Sequence, residues 1–189
     1  MTTTLLYVVS AAWCAVAMGA AENTVTFDPP QTQIHWTLDS TLHQVHGTFK
    51  LKGGFIKFDP ETGKASGQLV VSAISGESGN DSRDKKMHNS ILDSNKYTDI
   101  VFTPDKVNGQ VAAQGKSQIQ VHGVFKLHGT DHDFTLPVEV EMKNGQASAA
   151  AHFSIPYVKW GLKNPSVFLL KVNDTVQIDI EAGAKVSVN

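Results

Sequence analysis

From Gln31 onward, apolar and polar residues alternate along the chain, and a period of two is that of a strand with one hidden and one wetted face. Ile34, Trp36 and Leu38 face one way while His35 and Thr37 face the other. The alternation continues through residues 45–51, then Ile56 and Phe58, and stops at Asp59-Pro60-Glu61-Thr62-Gly63, a turn by composition. Residues 69–74, then Ile100 and Phe102, then Ile119 onward read as further strands. Phe134, Leu136, Val138, Val140 and Met142 make the cleanest of them, closed by Asn144-Gly145, a pair that tolerates positive φ and so favours a tight hairpin. Ala149, Ala151, Phe153 and Ile155 form the returning strand, and Val176, Ile178, Ile180 and Ala182 a last one.

One stretch departs from this period. Between Gly79 and Tyr97 the alternation disappears, and Asn80-Asp81-Ser82 offers an N-cap ahead of residues 83–92. Met87 and Ile91 are four apart and share a helical face, as do Asp84 and His88. The pattern predicts an all-β domain, an antiparallel barrel of about eight strands with a short helical insertion near residues 80–95. A sandwich is the alternative. The barrel is favoured because each strand alternates along its whole length, which leaves a single interior.

Within this pattern His-Gly-x-Phe-Lys-Leu-x-Gly occurs twice, at residues 46–53 and 122–129. Each copy reads as a strand ending at a glycine turn. The hidden face would carry Val45, Gly47, Phe49 and Leu51 in the first, and Val121, Gly123, Phe125 and Leu127 in the second. Two related halves of one sheet and convergent hairpin chemistry both explain the match.

The first 21 residues read as a signal peptide, with an apolar run from Leu5 to Met18 and the small residues Gly19 and Ala21 at a cleavage-like site. That run is too short for a membrane span of about 20 residues. A single domain, 22–189, is then expected, long enough to bury a proper core. Cys14 is the only cysteine and would leave with the leader, so no disulfides are expected. A net charge of −2 argues against nucleic acid as a partner.

The ordered set of 45-Val-His-Gly-Thr-Phe-49, Ser78-Gly79-Asn80-Asp81-Ser82-Arg83-Asp84 with Tyr97 and Ile100-Val101-Phe102, the second repeat, and Trp160-Gly161-Leu162 through 172-Val-Asn-Asp-Thr-Val-176 resembles the YceI-like family. Its members are exported lipid- or polyisoprenoid-binding proteins with an extended lipocalin-like barrel. Asp131-His132-Asp133 departs from the small and basic residues expected after the second repeat, and Trp160 is larger than several members carry there. The resemblance implies a long apolar cavity for an amphiphile such as an isoprenoid, a quinone or a fatty-acid derivative. From the residues alone, the glycines and alanines mixed with phenylalanines on the inward face would leave room, or would relieve curvature so that the phenylalanines pack.

Candidate ligand-contacting residues are Phe49, Met87, Ile91, Phe102, Phe125, Phe134, Leu136 and Trp160, the last as a stacking partner or, better, a barrel-end plug. Arg83, the single arginine, is the candidate headgroup donor. A salt bridge to Asp81, Asp84 or Asp99 is the favoured reading of it, because those carboxylates are near in sequence. The eight histidines include no His-x-His or His-Glu-x-x-His motif, and His46, His122, His128 and His132, the four that could cluster, are read as outward-facing by alternation, so no metal is expected. No catalytic residue is assigned, since there is no Gly-x-Ser-x-Gly elbow, no glycine-rich phosphate loop and no cysteine beyond the leader. Arg83, Asp84 and His88 would be the polar apparatus of a lipid-modifying enzyme. The expectation is a periplasmic or secreted carrier for an apolar-chain amphiphile, with no other cofactor and with homodimerisation left open; a solidly packed structural or stress-response barrel is the alternative.

Overall fold

The computed structural model describes residues 22–188, so the leader expected over 1–21 lies outside the described residues. Eight strands form: β1 (Asn23–Asp39), β2 (Gln44–Phe58), β3 (Ala65–Glu77), β4 (Asp99–Asn108), β5 (Gly115–Leu127), β6 (Thr130–Lys143), β7 (Gln146–Ile155) and β8 (Val176–Val188). Each pairs antiparallel with the next, and β8 returns to β1 to close the barrel. Closure gives every strand two neighbours, so no strand lies at a sheet edge, although β3–β4 and β6–β7 pair over only part of their lengths. Two of the hairpins turn on two residues at positive φ, Asn144-Gly145 (53° and 76°) and His128-Gly129 (52° and 78°), as the right-handed twist of paired strands requires.

β1 begins at Asn23, well before the alternation at Gln31. Pro29-Pro30 lies inside it and can donate no backbone hydrogen bond. The pairing with β2 skips between Thr26 and Ile34, and that with β8 between Phe27 and Thr32. The strand bends there and resumes in register with both neighbours, which alternation alone could not reveal.

The two repeats occupy β2 and β5, strands that run in opposite directions in this meander, so no rotation about the barrel axis superposes them. Their ends also differ. The second copy closes in the His128-Gly129 turn, whereas β2 continues through Gly53 to Phe58 with a bulge between Leu51 and Gly53. The first copy therefore ends in a bulge and not in the predicted turn. Related halves of the sheet do not account for the repeat.

The helical insertion joins β3 to β4. These strands pair only over Leu69–Ser72 and Asp99–Phe102. At the end beyond them sit α1 (Asp81–Lys86) and a π-helical continuation, Met87–Leu92. The Asn80 side chain accepts from the Arg83 amide at 3.0 Å and caps α1. Asp84 accepts from both the amide and the hydroxyl of Ser78, at 2.9 and 2.5 Å. His88 ties the insertion to the barrel: Nε2 donates to the Gly76 carbonyl and Nδ1 pairs with the Ser94 hydroxyl, both at 2.8 Å. Ser94 is 1% exposed, so this contact is a buried staple. Among the described residues, no helix is long and apolar enough to cross a membrane.

Candidate ligand-binding site

Inside the barrel lies a cavity of about 530 Å³, within the range of about 300–1,000 Å³ usual for small-molecule sites. Its wall is almost wholly apolar, with residues from β1 through β8, the helical insertion and the β7–β8 loop. The polar lining is confined to Ser40, His43, Ser82, Arg83, Lys86 and Tyr157. His43, Ser82 and Lys86 are exposed, so the end they share is the mouth. The insertion lies across it, with Ser82, Arg83 and Lys86 of α1 and Met87, Ile91 and Leu92 of its π-helical continuation lining the cavity.

Of the residues singled out by sequence, Phe49, Phe102, Phe125 and Leu136 line the wall, joined by Met87 and Ile91 from the insertion and Arg83 at the mouth. Phe134 and Trp160 do not. They belong to an aromatic group behind the Phe125 wall, where Trp160 meets Phe134 edge-on at 5.5 Å and Phe125 at 5.6 Å. Pairing between β6 and β7 covers only Glu139–Lys143 and Gln146–Ala150. Trp160, Phe134 and Phe153 pack near the unpaired stretch of these strands. The histidines are not all outward either: His132 stacks on Trp160 at 4.1 Å with its Nε2 buried and unpartnered. Burial holds its pKa below the ordinary value, so the ring is neutral at neutral pH.

Sequence reasoning read β8 as a strand but named none of its residues as ligand contacts, and it named none in the β7–β8 loop apart from Trp160. Val176, Ile178 and Ile180 line the cavity, with Tyr157, Leu162, Leu170 and Val172 from the loop. Alternation in β8 was a sufficient signal for the first three. The loop residues carry no period and meet the cavity only because Asn173 donates to the Asp39 carbonyl at 2.9 Å and Tyr157 donates to the Asn173 carbonyl at 2.7 Å. Burial and nearby Asp174 push the Tyr157 phenol up to about 12, which keeps it a neutral donor.

Arg83 forms no ion pair with Asp81, Asp84 or Asp99; Asp99 pairs instead with Lys52. The salt bridge favoured from sequence is therefore absent among the described residues. Asp84 and His88 are engaged in the loop and staple contacts above, and among the described residues no group of three His, Cys, Asp or Glu side chains could hold a metal ion.

Gly47 and Gly123 do not widen the cavity. A Cβ on Gly47 would sit 2.3 Å from the Trp36 ring and 2.1 Å from the Glu77 carbonyl oxygen. The room it leaves is filled by the indole. A Cβ on Gly123 would lie 2.3 Å from the Thr103 carbonyl oxygen, where β4 approaches closely. Both glycines of the repeat serve packing.

On the outer wall, His122 Nδ1 lies 2.6 Å from Asp105 and Nε2 2.9 Å from Asp133. The hydrogen bond to Asp105, with the charge of both aspartates, raises the His122 pKa above 6.5. A raised folded-state pKa adds stability that is complete below the unfolded value and is lost as pH rises through the folded one. The destabilisation caused by His122→Gln, read from urea midpoints, should be larger near about pH 5 than near about pH 9. Equal destabilisation at both pH values would contradict this account. His132 acts in the opposite sense, since its depressed pKa favours the fold above about pH 6.5, so the comparison must be made against wild type.

A closed eight-stranded barrel around an apolar cavity with a polar mouth is a binding-type barrel. The chain belongs to the YceI-like family: the model of the YceI-like domain matches residues 25–184. Among solved structures it is similar to BcnA of Burkholderia cenocepacia, with a TM-score of 0.67 and 18% identity over 85% of this chain and 99% of that one. A polyisoprenoid binding domain from Saccharophagus degradans, implicated in plant cell wall breakdown, gives a TM-score of 0.63 and 14% identity, covering 86% of this chain and 98% of that one. The Campylobacter jejuni YceI protein gives 0.57 and 14%, covering 97% of this chain and 92% of that one. No curated protein is matched by sequence.

Proposed function

We propose that this protein is an exported carrier that holds an isoprenoid, quinone or fatty-acid-like amphiphile, its chain in the barrel and its head at the mouth beside Arg83 and Lys86. The observation that carries the reading is the cavity itself, apolar along its length and polar only near its mouth, apart from Tyr157. That is the division an amphiphile presents. Each methylene moved from water into such a space contributes about 0.8 kcal/mol. Arg83 supports the placement of the head, because it lines the cavity beside exposed Ser82 and Lys86 and forms no ion pair with a carboxylate among the described residues. The likeness to a domain described as polyisoprenoid-binding is in keeping with it. No step of chemistry is required of Asp84 or His88, whose polar atoms are spent on the loop and the staple.

Native mass spectrometry and organic extraction of the purified protein should reveal a co-purifying amphiphile. Stripped protein should take up a long-chain fatty acid, an isoprenoid alcohol or a quinone, and Arg83→Gln should weaken the acid more than the alcohol. Empty extracts together with no uptake of any of the three would end the carrier reading.

A further inference from the structure

The β7–β8 loop ends in an apolar tip. Val167 and Leu170 exchange backbone hydrogen bonds of 2.9 and 3.1 Å, which leaves Phe168 and Leu169 at the turn, 92% and 80% exposed. Val167 is exposed beside them, and Leu42 of the β1–β2 loop is 72% exposed. The two loops are joined, since Thr41 N–H donates to the Lys171 carbonyl at 2.9 Å and Ser40 forms a bridge with Val172. The tip is well tethered: Lys86 donates to the Pro165 carbonyl, Asn164 to that of Val172, and Val172 N–H to the Ser166 hydroxyl. An ordered turn that holds a phenylalanine and a leucine in water is a surface awaiting a partner.

We infer that this tip docks the barrel mouth onto an anionic lipid bilayer, with Phe168 and Leu169 entering the interface and Lys163 and Lys171 at headgroup level. Two observations select a bilayer over a second copy of the chain. Residues 159–171 contain three lysines and no acidic residue, and no ion pair engages Lys163 or Lys171 among the described residues. A two-fold dimer through this patch would gather two sets of like-charged lysines at one interface, whereas anionic headgroups complement them. The tip is also continuous with the cavity, because Pro165, Leu170 and Val172 of the same loop line its mouth. A lipid leaving a bilayer at the tip would meet the opening without crossing water. Insertion of an aromatic and an aliphatic side chain flanked by lysines is the usual chemistry of interfacial anchors.

The docking function rests on the carrier reading, but the binding test does not. Full-length folded protein is floated with vesicles of phosphatidylcholine containing phosphatidylglycerol, and its uptake of a monomeric short-chain fluorescent fatty acid is measured separately. Wild type should float, Phe168→Ser/Leu169→Ser should partition about tenfold less, and both should take up the soluble probe equally. Lys163→Glu/Lys171→Glu should lose flotation as well, and wild-type flotation should fall at high salt. Failure of all proteins to take up the probe would count against the carrier while leaving the flotation result to judge the tip. Docking is overturned if wild type does not float, if the serine variant floats equally, or if pure phosphatidylcholine serves as well. It is also overturned if the serine substitutions abolish a concentration-dependent dimer, which would make a second copy the occupant.

Discussion

Gly47→Ala is expected to destabilise the barrel by about 3 kcal/mol, at the upper end of overpacking effects. The added methyl would lie 2.1 Å from the Glu77 carbonyl oxygen and 2.3 Å from two atoms of the Trp36 ring. Neither neighbour can yield cheaply. Glu77 is backbone at the end of β3, and Trp36 is 5% exposed and lies between β2 and β8, opposite Gly47 and Ile178. For a domain of this size the loss corresponds to a melting temperature lower by roughly 6–12 °C. The measurement separates two meanings of a small inward residue. Were Gly47 small to admit a ligand, alanine would weaken ligand binding and leave stability intact. Because it is small to admit Trp36, stability falls first, and pairing the change with Trp36→Leu should return part of it. A Gly47→Ala protein within about 0.5 kcal/mol of wild type would refute this packing account.

Val71→Trp is the converse experiment and should abolish tight amphiphile binding with little cost to the fold. Val71 lies on β3 opposite Ile100, half-buried, with its side chain on the cavity wall. An indole there grows into space that is unfilled, unlike a side chain enlarged in a close-packed core. Displacing even four methylenes of a bound chain would cost about 3 kcal/mol, a loss of roughly a hundredfold in Kd. Titration calorimetry with a long-chain fatty acid measures the affinity, and urea unfolding checks the fold. Unchanged affinity in a stably folded variant would show that the chain binds elsewhere.

These two positions show how far alternation carries. It places Gly47 and Phe49 on the same inward face, and both do face inward, but it does not say what fills the space beside a glycine. The Trp36 indole comes from the neighbouring strand, and only the β1–β2 register of Trp36 against Gly47 brings them together. Phe134 and Phe125 were equally plausible wall residues from pattern. Phe125 lines the cavity and Phe134 stands behind it with Trp160, because pairing between β6 and β7 stops at Glu139 and Ala150. Val176, Ile178 and Ile180 were legible in β8 yet were not chosen, while Leu170 and Val172 had no periodic signal at all.

By itself the sequence determined that the chain is all-β, that its strands have one buried face, where two hairpins turn, and where a helix interrupts them. These are local matters, decided by the period of side-chain direction and by which residues accept positive φ or cap a helix. Tertiary structure alone decided that the interior is hollow, that the repeat glycines serve packing, and that Arg83 faces the mouth instead of a neighbouring aspartate. A cavity is the space left when eight strands close at a particular register, and no residue encodes a void. It arises from distances between side chains far apart in sequence, which exist only once β8 has met β1.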